Sequence, residues 1–223
     1  MRGHCGEYNA ILRHGFSVLL TRLFAPIADF NKMSSSQTAA IQRRPSQRLY
    51  AQPTGREVMI PEHEIMVSEV DLAGKITYCN DTFWRVTGFP RQLTLGTANH
   101  QTWHPDMPRA IFRLLSARLD AGKDAFAYVL GITAEGRHFW EFTQVVPTYG
   151  PDGKRRGLMI IRRAGNPGTL RIIIPLYQKL RAIELGAASK DTGISRAKMA
   201  LDAILDELGQ SYEDLIFSQA ATD

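Results

Sequence analysis

The sequence is poor in cysteine and in long apolar runs, and these shortages exclude several classes of protein. Its two cysteines, Cys5 and Cys79, are too few for a disulfide framework and are not spaced as a CxxC metal or redox pair. Low cysteine usage is typical of a reducing, cytoplasmic compartment. Arg22 and Asp29 interrupt the longest apolar stretch near the start, 15–30, and a bilayer span needs about 20 apolar residues. We therefore predict a cytoplasmic protein with no integral membrane segment.

The sequence also lacks the motifs of the common enzyme classes. It has no GxxxxGK[ST] phosphate loop, no GxGxxG after a predicted strand and no GxSxG elbow. No pair of histidines has a convincing metal spacing. Asp71, Asp81 and Asp106 fit turn and cap positions better than a catalytic carboxylate pair. We predict that the protein is not an enzyme and has neither catalytic residues nor a metal site.

The net charge is small and unevenly distributed along the chain. Hydrophobic residues make up 44% and charged residues 22% of the sequence, which is ordinary globular usage. The net charge is +5 over residues 1–60, +4 over 61–186 and −4 over 187–223. Because the positive charge is spread thinly, nucleic acid is not an expected partner. The basic head and the acidic tail instead indicate two appendages around a core.

These shifts in composition divide the chain into three parts. Residues 1–60 are predicted to be a flexible basic arm, because from Met33 onward this part is rich in Ser, Gln, Arg and Pro and has little to bury. Met33 resembles a natural start, so residues 1–32 either belong to the protein or are translated from upstream of its true initiator. Residues 61–165 form the central domain, and residues 166–223 form a C-terminal helical extension.

The central domain has a pattern of strands and helices that predicts one antiparallel sheet. Two early strands form a hairpin that turns at Gly74, and three later strands form a meander. Helices lie between these two groups, so we predict an α+β fold with a five-stranded antiparallel sheet and helices on one side. Such a layout leaves room for a small-molecule cavity between the sheet and the helices. The predicted strands are 64–71, 75–79, 125–133, 137–148 and 157–163.

Capping residues predict where the helices between the two groups of strands begin and end. Asn80 or Asp81 can cap a short helix that Gly88 ends. A longer helix is predicted over 107–119, with Asp106 as its N-cap and a proline in its first turn.

The C-terminal extension contains an amphipathic helix over 194–208 that Gly209 is expected to end. Ser211 and Asp214 have the spacing of a capping box at the start of a last short helix. An apolar face shows only that something covers it, so this helix either folds back on its own domain or binds a partner. The predicted face consists of Met199, Ala200, Ala203, Ile204 and Leu208, with Leu201 and Leu205 beside it.

Residues 66–164 resemble a PAS domain, and within that family they are similar to the aerotaxis-receptor type. The His-Pro-Asp-Met-Pro run at 104–108, which follows Asn99 and His100, is the most specific of the matching segments. The resemblance continues into 175–180, and it covers a little over half of the chain. The other matching segments are 71–83, 87–89 and 149–154.

The resemblance implies a non-catalytic bacterial sensor, in which a PAS fold holds FAD and reports the redox state to a signalling partner. An isoalloxazine ring needs an apolar slot, an aromatic wall and a few fixed polar groups. Haem or no cofactor are the alternatives to a flavoprotein. The residues that would line the pocket are Asn80, Trp84, Trp103, His104, Asp106, Phe112 and Trp140.

The sequence departs from the family at three places that bear on the cofactor. Trp103 stands where the family usually has Arg, Ala125 aligns with a usual Trp, and Gly131 with Ile132 replaces a common Asn-Arg pair. These changes predict a more apolar pocket. His104 either contacts a flavin, binds haem iron through a neutral imidazole, or shapes the turn before Pro105.

Two function classes remain open from the sequence. In the first, a small ligand in the cavity changes how helices dock outside it, and the protein senses redox state, oxygen or energy. In the second, the domain is a ligand-free scaffold that acts only through contact with a signalling partner. In both we expect a homodimer, with the outer sheet face, including parts of 137–148 and 157–163, as its contact surface.

Overall fold

A five-stranded antiparallel sheet organises residues 49–218, which are the residues that this computed structural model describes. Neighbouring strands follow the order β2-β1-β5-β4-β3. The edge strands are therefore β2 and β3, and the first and last strands along the chain, β1 and β5, lie inside the sheet. The predicted α+β class and the five antiparallel strands are confirmed. The strands are β1 (Met66–Asp71), β2 (Ile76–Cys79), β3 (Ala125–Ile132), β4 (His138–Tyr149) and β5 (Arg155–Ala164).

The helices fall into two groups, one between β2 and β3 and one after β5. Helix α3 is the long helix of the first group, and α4 and α5 are the long helices of the second. No helix within residues 49–218 is both long enough and apolar enough to cross a membrane. The helices are α1 (Asp81–Thr87), α2 (Arg91–Thr94), a 3-10 turn (Asn99–Thr102), α3 (Arg109–Asp120), α4 (Pro167–Leu185), α5 (Lys190–Leu208) and α6 (Tyr212–Ser218).

One predicted turn and two predicted helix caps in the first half of the domain are confirmed. Gly74 has a φ of 71°, and the Asp71 carboxylate accepts hydrogen bonds from the amides of Ala73 and Lys75, each at 2.9 Å. Asn80 is the N-cap of α1, and Gly88 ends that helix in the left-handed conformation. These local contacts fix where β1, β2 and α1 begin and end.

The predicted N-cap of the long helix is wrong. Helix α3 begins at Arg109, and its N-cap is Pro108, which makes no side-chain hydrogen bond to the helix. The ring of a proline disfavours helical backbone angles at the residue before it. Met107 precedes Pro108, so it does not begin the helix, as an N-cap at Asp106 would require. Met107 instead closes a turn, in which its amide donates to the carbonyl of His104 at 3.0 Å.

Alternate residues of each strand point to opposite faces of the sheet. On the inner face, Phe83 of α1 and Ile111 of α3 belong to the same buried cluster as the side chains of the central strands. On the outer face, the ring of Phe217 from α6 lies 5.3 Å from that of Phe126 and 5.7 Å from that of Phe142. The C-terminal helices therefore reach the side of the sheet opposite to α1–α3.

The C-terminal extension folds back on its own domain, which settles the alternative left open by the sequence. Leu201 of α5 is fully buried, and α5 packs against α3 and α4. Gly209 ends α5 in the left-handed conformation, as predicted. Ser211 and Asp214 form the predicted capping box, since each backbone amide donates to the side chain of the other.

The buried face of α5 differs from the predicted one. Met199 is 70% exposed and Leu208 is 55% exposed. The buried positions are Ala197, Leu201 and Leu205, which lie on an adjacent stripe of the helix. Both stripes are apolar, so periodicity alone selects neither. The choice is made by the close approach of α4, where Gly193 leaves the space for a tight crossing.

Strand β3 lies at an edge of the sheet, and the C-terminal helices cover that edge. Tyr177 of α4 donates its hydroxyl proton to the carbonyl of Tyr128 at 2.8 Å, and the Tyr212 hydroxyl of α6 lies 2.5 Å from the Tyr177 hydroxyl. Burial raises the pKa of both Tyr177 and Tyr212 well above the usual tyrosine value. An open strand edge is a template for pairing with another chain, and here two neutral phenols close it.

The predicted N-terminal arm, residues 1–60, lies mostly outside the described residues, but its last part is attached to the domain. Ala51 and Thr54 donate backbone hydrogen bonds to the carbonyls of Ala134 and Gly136, each at 2.9 Å. Farther along, the Val58 amide donates to the backbone carbonyl of His138 at 2.8 Å. This segment therefore runs along the β3–β4 hairpin.

The crossing of α4 and α5 leads to a testable prediction about Gly193. A Cβ at this position would lie 2.5 Å from the backbone oxygen of Glu184. Gly→Ala inside a helix otherwise stabilises by about 1 kcal/mol, but overpacking against backbone costs about 1–3 kcal/mol. We expect Gly193→Ala to lower the free energy of urea unfolding. The matched control is Gly186→Ala, because a Cβ there meets its nearest atom at 3.4 Å; equal losses in the two variants would contradict the prediction.

Candidate functional site

An ion pair lies in the interior, between the inner face of the sheet and the helices. The Arg162 Nε on β5 is 3.2 Å from the Glu141 Oε1 on β4, and the two side chains are only 4% and 5% exposed. Thr143 stands two residues from Glu141 on the same face and donates its hydroxyl to Glu141 Oε1 at 3.2 Å. Buried charges are uncommon unless they are paired, so this pair is the most distinctive polar feature of the described core.

The Glu141 carboxylate is only half satisfied. Its Oε2 atom is buried and has no hydrogen-bond partner among residues 49–218. Burial raises the pKa of Glu141 to about 7, although the Arg162 charge and the Thr143 and Arg162 hydrogen bonds act in the opposite direction. A buried acceptor without a partner costs free energy, so this oxygen marks a place where a proton, a water or a ligand group is favoured.

Arg162 is held by contacts from both the sheet and the helices. Its Nη1 donates to the hydroxyl of Ser68 on β1 at 2.8 Å, and its Nη2 donates to the Asn99 side-chain oxygen at 3.4 Å. The guanidinium also lies 5.5 Å from the centre of the Phe83 ring on α1, within range of a cation–π contact. Arg162 thus connects three strands with α1 and the 3-10 turn.

The alternation of side chains along β3, β4 and β5 places the residues around the ion pair on the same face of the sheet. Thr143 pairs with Arg162 and Val129 pairs with Glu141 across the sheet, so all four side chains share the inner face. The neighbours Phe142 and Arg163 are also paired, and they share the outer face, where the guanidinium lies 4.9 Å from the ring centre. A shift of β4 by one residue would replace the buried Glu141 by an aromatic neighbour, Trp140 or Phe142, and leave Arg162 without its carboxylate.

The structure brings two of the predicted pocket residues together, Trp103 and Phe112. Their rings are stacked, with centroids 3.6 Å apart and an angle of 11° between the planes. Trp103 also forms a β-bridge with Gly131 on β3. Each ring therefore already has an aromatic partner on the face through which it stacks.

His104 and Asp106 lie in the turn before α3. The Asp106 amide donates to the His104 Nδ1 at 3.1 Å, which agrees with the turn-shaping alternative. The ring of His138 lies 6.0 Å from that of His104. Burial lowers the pKa of His104, so its neutral form is favoured. Within residues 49–218, no cluster of three or more His, Cys, Asp or Glu side chains is arranged to hold a metal ion.

Asn80 and Trp84 lie at the start of α1 and close to β1. The Asn80 Oδ1 accepts from the amides of Val67 and Phe83, both at 3.0 Å, and its Nδ2 donates to the Ile65 carbonyl at 2.8 Å. These contacts use both ends of the amide to join α1 to β1. The Trp84 ring meets that of Phe83 edge to face at 5.4 Å.

Trp140 lies on the outer face, because it precedes Glu141 on β4 and adjacent strand residues point to opposite faces. Its ring is 5.9 Å from that of Tyr177 on α4. The structure therefore separates Trp140 from the buried ion pair by the thickness of the sheet. The cofactor role assigned to the seven residues from the sequence remains a prediction.

Phe139 fills part of the inner face at the place where the family commonly has a polar residue. A Cβ on Gly131 would lie 2.3 Å from the Phe139 ring, so the ring packs directly on the glycine backbone. This contact is consistent with the more apolar pocket expected from Gly131.

A flavin is the cofactor that the resemblance implies, and the interior groups can be tested against it. The polar edge of an isoalloxazine carries an imide N–H between two carbonyl oxygens. The unpaired Glu141 Oε2 is an acceptor for such an N–H, and the Arg162 guanidinium is a donor for a carbonyl. Phe83 supplies an aromatic surface beside them. The donor, the acceptor and the aromatic surface present here suit the polar edge of such a ring.

A buried contact links the first helix group to the C-terminal helices. The Glu184 Oε1 on α4 accepts from the Ala110 amide, in the first turn of α3, at 2.8 Å. Arg181 lies 3.2 Å from the other oxygen of the same carboxylate. A negative charge is favoured at a helix N-terminus, so Glu184 replaces the side-chain cap that Pro108 cannot provide.

Comparison with known proteins identifies the domain. The model of the family described as the PAS fold matches residues 63–163, so these residues are a PAS domain. The aerotaxis receptor of Escherichia coli (strain K12) is 31% identical over 129 residues, which are 58% of this chain and 25% of that receptor. The predicted resemblance to an aerotaxis-receptor-like PAS protein is confirmed, and the chain spans about a quarter of the length of the curated relative that it matches.

The solved structures that match include a PAS domain and a LOV domain. The PAS domain of a protein from Colwellia psychrerythraea is 18% identical, with a TM-score of 0.42, and the match covers 45% of this chain and 85% of that one. The light-state structure of the blue-light photoreceptor Aureochrome1 LOV is 17% identical, with a TM-score of 0.43 and coverage of 51% and 90%.

Sequence reasoning missed Glu141 and Arg162. The available signal was one glutamate within 139–142 and two arginines within 160–163, in strand segments that are otherwise apolar or aromatic. Because Trp140 and Arg163 flank these positions, the alternation did not show which residue of each neighbouring pair faces the core. The pairing of β4 with β5 decides it.

The raised pKa of Glu141 predicts a pH dependence of stability. The folded-state pKa, about 7, lies above the ordinary value of 4.5, so the native state binds more protons between these values and loses stability as the pH rises through them. We expect a loss of up to about 3 kcal/mol between pH 5 and pH 8, measured by urea unfolding.

In Glu141→Gln this position no longer titrates, so that variant should lose less stability over the same window. Glu135→Gln is the matched control, because the Glu135 side chain is 73% exposed. Parallel pH profiles for the wild type and Glu141→Gln would contradict the assignment.

Proposed function

We propose that this protein is a non-catalytic PAS sensor, which binds a small ligand or cofactor in its core and signals through contact with another protein. The PAS match over residues 63–163 and the similarity to an aerotaxis receptor support a signalling role. The observation that carries the ligand proposal is the buried Glu141 oxygen without a partner. A buried polar group without a partner calls for an explanation, and a bound ligand group supplies one.

FAD is the proposed cofactor, and it would supply a change of redox state that the protein reports. The residues proposed from the sequence to line the pocket are supported to different degrees. Trp103 and Phe112 are adjacent and partly buried, so they suit a wall against an isoalloxazine ring if one of them moves. His104 in its neutral form is an acceptor or donor at the same end of the domain.

The route from the core to the surface runs through α3 and α4. Ala110 at the start of α3 is tied to Glu184 on α4, and Arg118 near the end of α3 lies 2.9 Å from Glu213 on α6. Both ends of α3 are thus attached to the C-terminal helices. A ligand that displaces α3 would change how these helices dock, and a ligand shifts such an equilibrium by its differential affinity for the two states.

A ligand-free scaffold is the second candidate function. It is favoured by the stacking of Trp103 on Phe112 and by the Phe139 ring that fills the space over Gly131. In both cases aromatic groups that could wall a pocket pack against the protein itself. We propose a homodimer and an unidentified signalling partner for either function, and a cytoplasmic location, since Cys79 is buried and unpaired.

The absorbance spectrum of the freshly purified full chain separates the candidates. We expect a yellow protein with flavin bands, and we expect Trp103→Leu to lower the flavin content because it removes one aromatic wall. Leu95→Ala, at an exposed position in the same helical insert, is the control. A reddish protein would indicate haem, and a colourless protein that remains a dimer on dilution would favour the scaffold.

The proposed route through Glu184 predicts a local effect on α3. Glu184→Ala leaves the buried Ala110 amide without its acceptor, so we expect a loss of about 1–3 kcal/mol of unfolding free energy. Amide exchange at the start of α3 should become faster. Glu184→Gln keeps an oxygen acceptor and should lose less. Unchanged exchange at Ala110 in Glu184→Ala would contradict the route.

A further inference from the structure

Two histidines meet where the helices between β2 and β3 join the edge of the sheet. His104 lies in the turn before α3, and His138 is the first residue of β4. Their ring centroids are 6.0 Å apart, with an angle of 70° between the planes. The His104 side chain is only 9% exposed. A charge on either imidazole therefore acts on the other, because burial reduces the screening by water.

The His104 ring is part of the turn that attaches α3 to the sheet. Its Nδ1 accepts a hydrogen bond from the Asp106 amide at 3.1 Å, so this nitrogen carries no proton. The His104 amide donates to the Leu130 carbonyl at 3.0 Å, and the Leu130 amide donates to the Met107 Sδ at 3.4 Å. The turn 104–107 thus pairs with both backbone groups of Leu130 on the edge strand β3.

His138 lies at a second attachment to the sheet. Its amide donates to the Arg56 carbonyl at 2.9 Å, and its carbonyl accepts from the Val58 amide at 2.8 Å. The segment 51–58 is therefore held at this residue. The two histidines stand at neighbouring attachment points, one for the turn before α3 and one for the segment that leads into the domain.

The surroundings of His104 oppose a positive charge on its ring. Burial lowers the pKa of the imidazole, the Asp106 carboxylate acts in the opposite direction, and His138 lowers the pKa further. The Asp106 Oδ2 lies 3.7 Å from the His104 Nδ1, but the Asp106 side chain is 68% exposed, so water screens its attraction. The neutral ring is therefore the form that fits the closed turn.

His104 and Asp106 offer a second arrangement for the charged ring. A proton on the Nδ1 changes this nitrogen from an acceptor into a donor, which breaks its hydrogen bond with the Asp106 amide. The Asp106 carboxylate is an acceptor for the new N–H, but at 3.7 Å it lies beyond hydrogen-bond distance. The turn has to shift before this bond forms, and the shift acts on the contacts between 104–107 and β3.

We propose that His104 is a pH switch, in which protonation of its ring opens the turn 104–107 and loosens the start of α3 from β3. The stimulus is acidification, and His138 strengthens the response because charges on both rings repel one another. The switch needs no ligand, so it goes beyond the proposed ligand-binding function and is tested independently of it.

The direction of the pH effect follows from the sign of the shift. The folded state lowers the pKa of His104 below the ordinary value of 6.5, so the unfolded chain binds more protons at this residue. The contribution of the closed turn is therefore complete above that value and is lost as the pH falls below it. This is opposite to the effect of Glu141, so a local measurement is needed to separate the two.

Amide hydrogen exchange of the full chain, followed by NMR at about pH 7.5 and about pH 5, tests the switch. Protection factors corrected for the intrinsic exchange rates report on the Asp106 and Leu130 amides. We expect both factors to fall about fivefold or more on acidification, as for the loss of one hydrogen bond. The Thr169 amide is the internal control, because it donates at 2.9 Å to the Asn166 side-chain oxygen, which does not titrate.

Variants assign the response to His104. Asparagine has an oxygen where histidine has its Nδ1, so His104→Asn keeps an acceptor for the Asp106 amide and cannot become charged. We expect the protection of the Asp106 and Leu130 amides in this variant to stay constant with pH relative to Thr169. His63→Asn is the matched control, because His63 is an exposed histidine of the same domain, and it should respond like the wild type.

A second measurement decides the matter if His104→Asn does not fold. The titration of the His104 ring in the wild type, followed by its NMR chemical shift, should have a midpoint below the ordinary value of about 6.5. The midpoint should rise in His138→Asn, because that variant removes the neighbouring imidazole.

Three results would overturn the switch. They are an equal fall in protection at Thr169, an equal fall in the wild type and in His104→Asn, and a His104 midpoint at or above the ordinary value. None of them changes the ligand proposal, which the absorbance spectrum decides separately.

Discussion

Two opposite charges lie inside the core of this domain, and neither is stable there alone. Moving a single ion out of water costs several kcal/mol even after the protein relaxes. The Arg162 guanidinium is compensated by Glu141, by the Ser68 hydroxyl and by the Phe83 ring. The positions of β1, β4, β5 and α1 are therefore coupled, because each supplies part of one polar arrangement.

The same arrangement is incomplete at one atom. A fully satisfied buried network makes a core rigid and specific, whereas an unpaired group in a low-dielectric interior is costly. Here the free oxygen belongs to the residue with the raised pKa, Glu141. Protonation, a water or a donor group of a ligand relieves this cost. The incomplete ion pair therefore favours a hydrogen-bond donor at the free Glu141 oxygen.

The C-terminal helices meet a different constraint, which is the open edge of β3. They cover it with Tyr177 and Tyr212 and not with a further strand. Because α4 also supplies the Glu184 carboxylate to the first turn of α3, the elements that close the sheet edge are also attached to the helical insert. Closure of the edge and the position of α3 are thus linked.

Most of the fold could be predicted from local signals. Gly74, Asn80 and Gly88 mark turns and caps through their own backbone preferences, and the capping box at Ser211 acts over three residues. The errors arose where long-range contacts decide. Pro108 moved the start of α3 away from Asp106, and the crossing at Gly193 chose between two apolar stripes of α5.

The candidate site was less predictable, because it depends on which face each strand residue occupies. Trp140 and Glu141 are neighbours in the sequence, yet the sheet places them on opposite sides. The resemblance to the family directed attention to Trp103, Ala125 and Gly131, where the usual polar or aromatic groups are replaced. At Gly131 the space is taken by the Phe139 ring. Of the charged side chains buried in the described interior, Glu141 and Arg162 lie on β4 and β5, and Glu184 lies on α4. The pairing of the strands and the docking of α4 decide which charges are buried, and neither can be read from the local sequence.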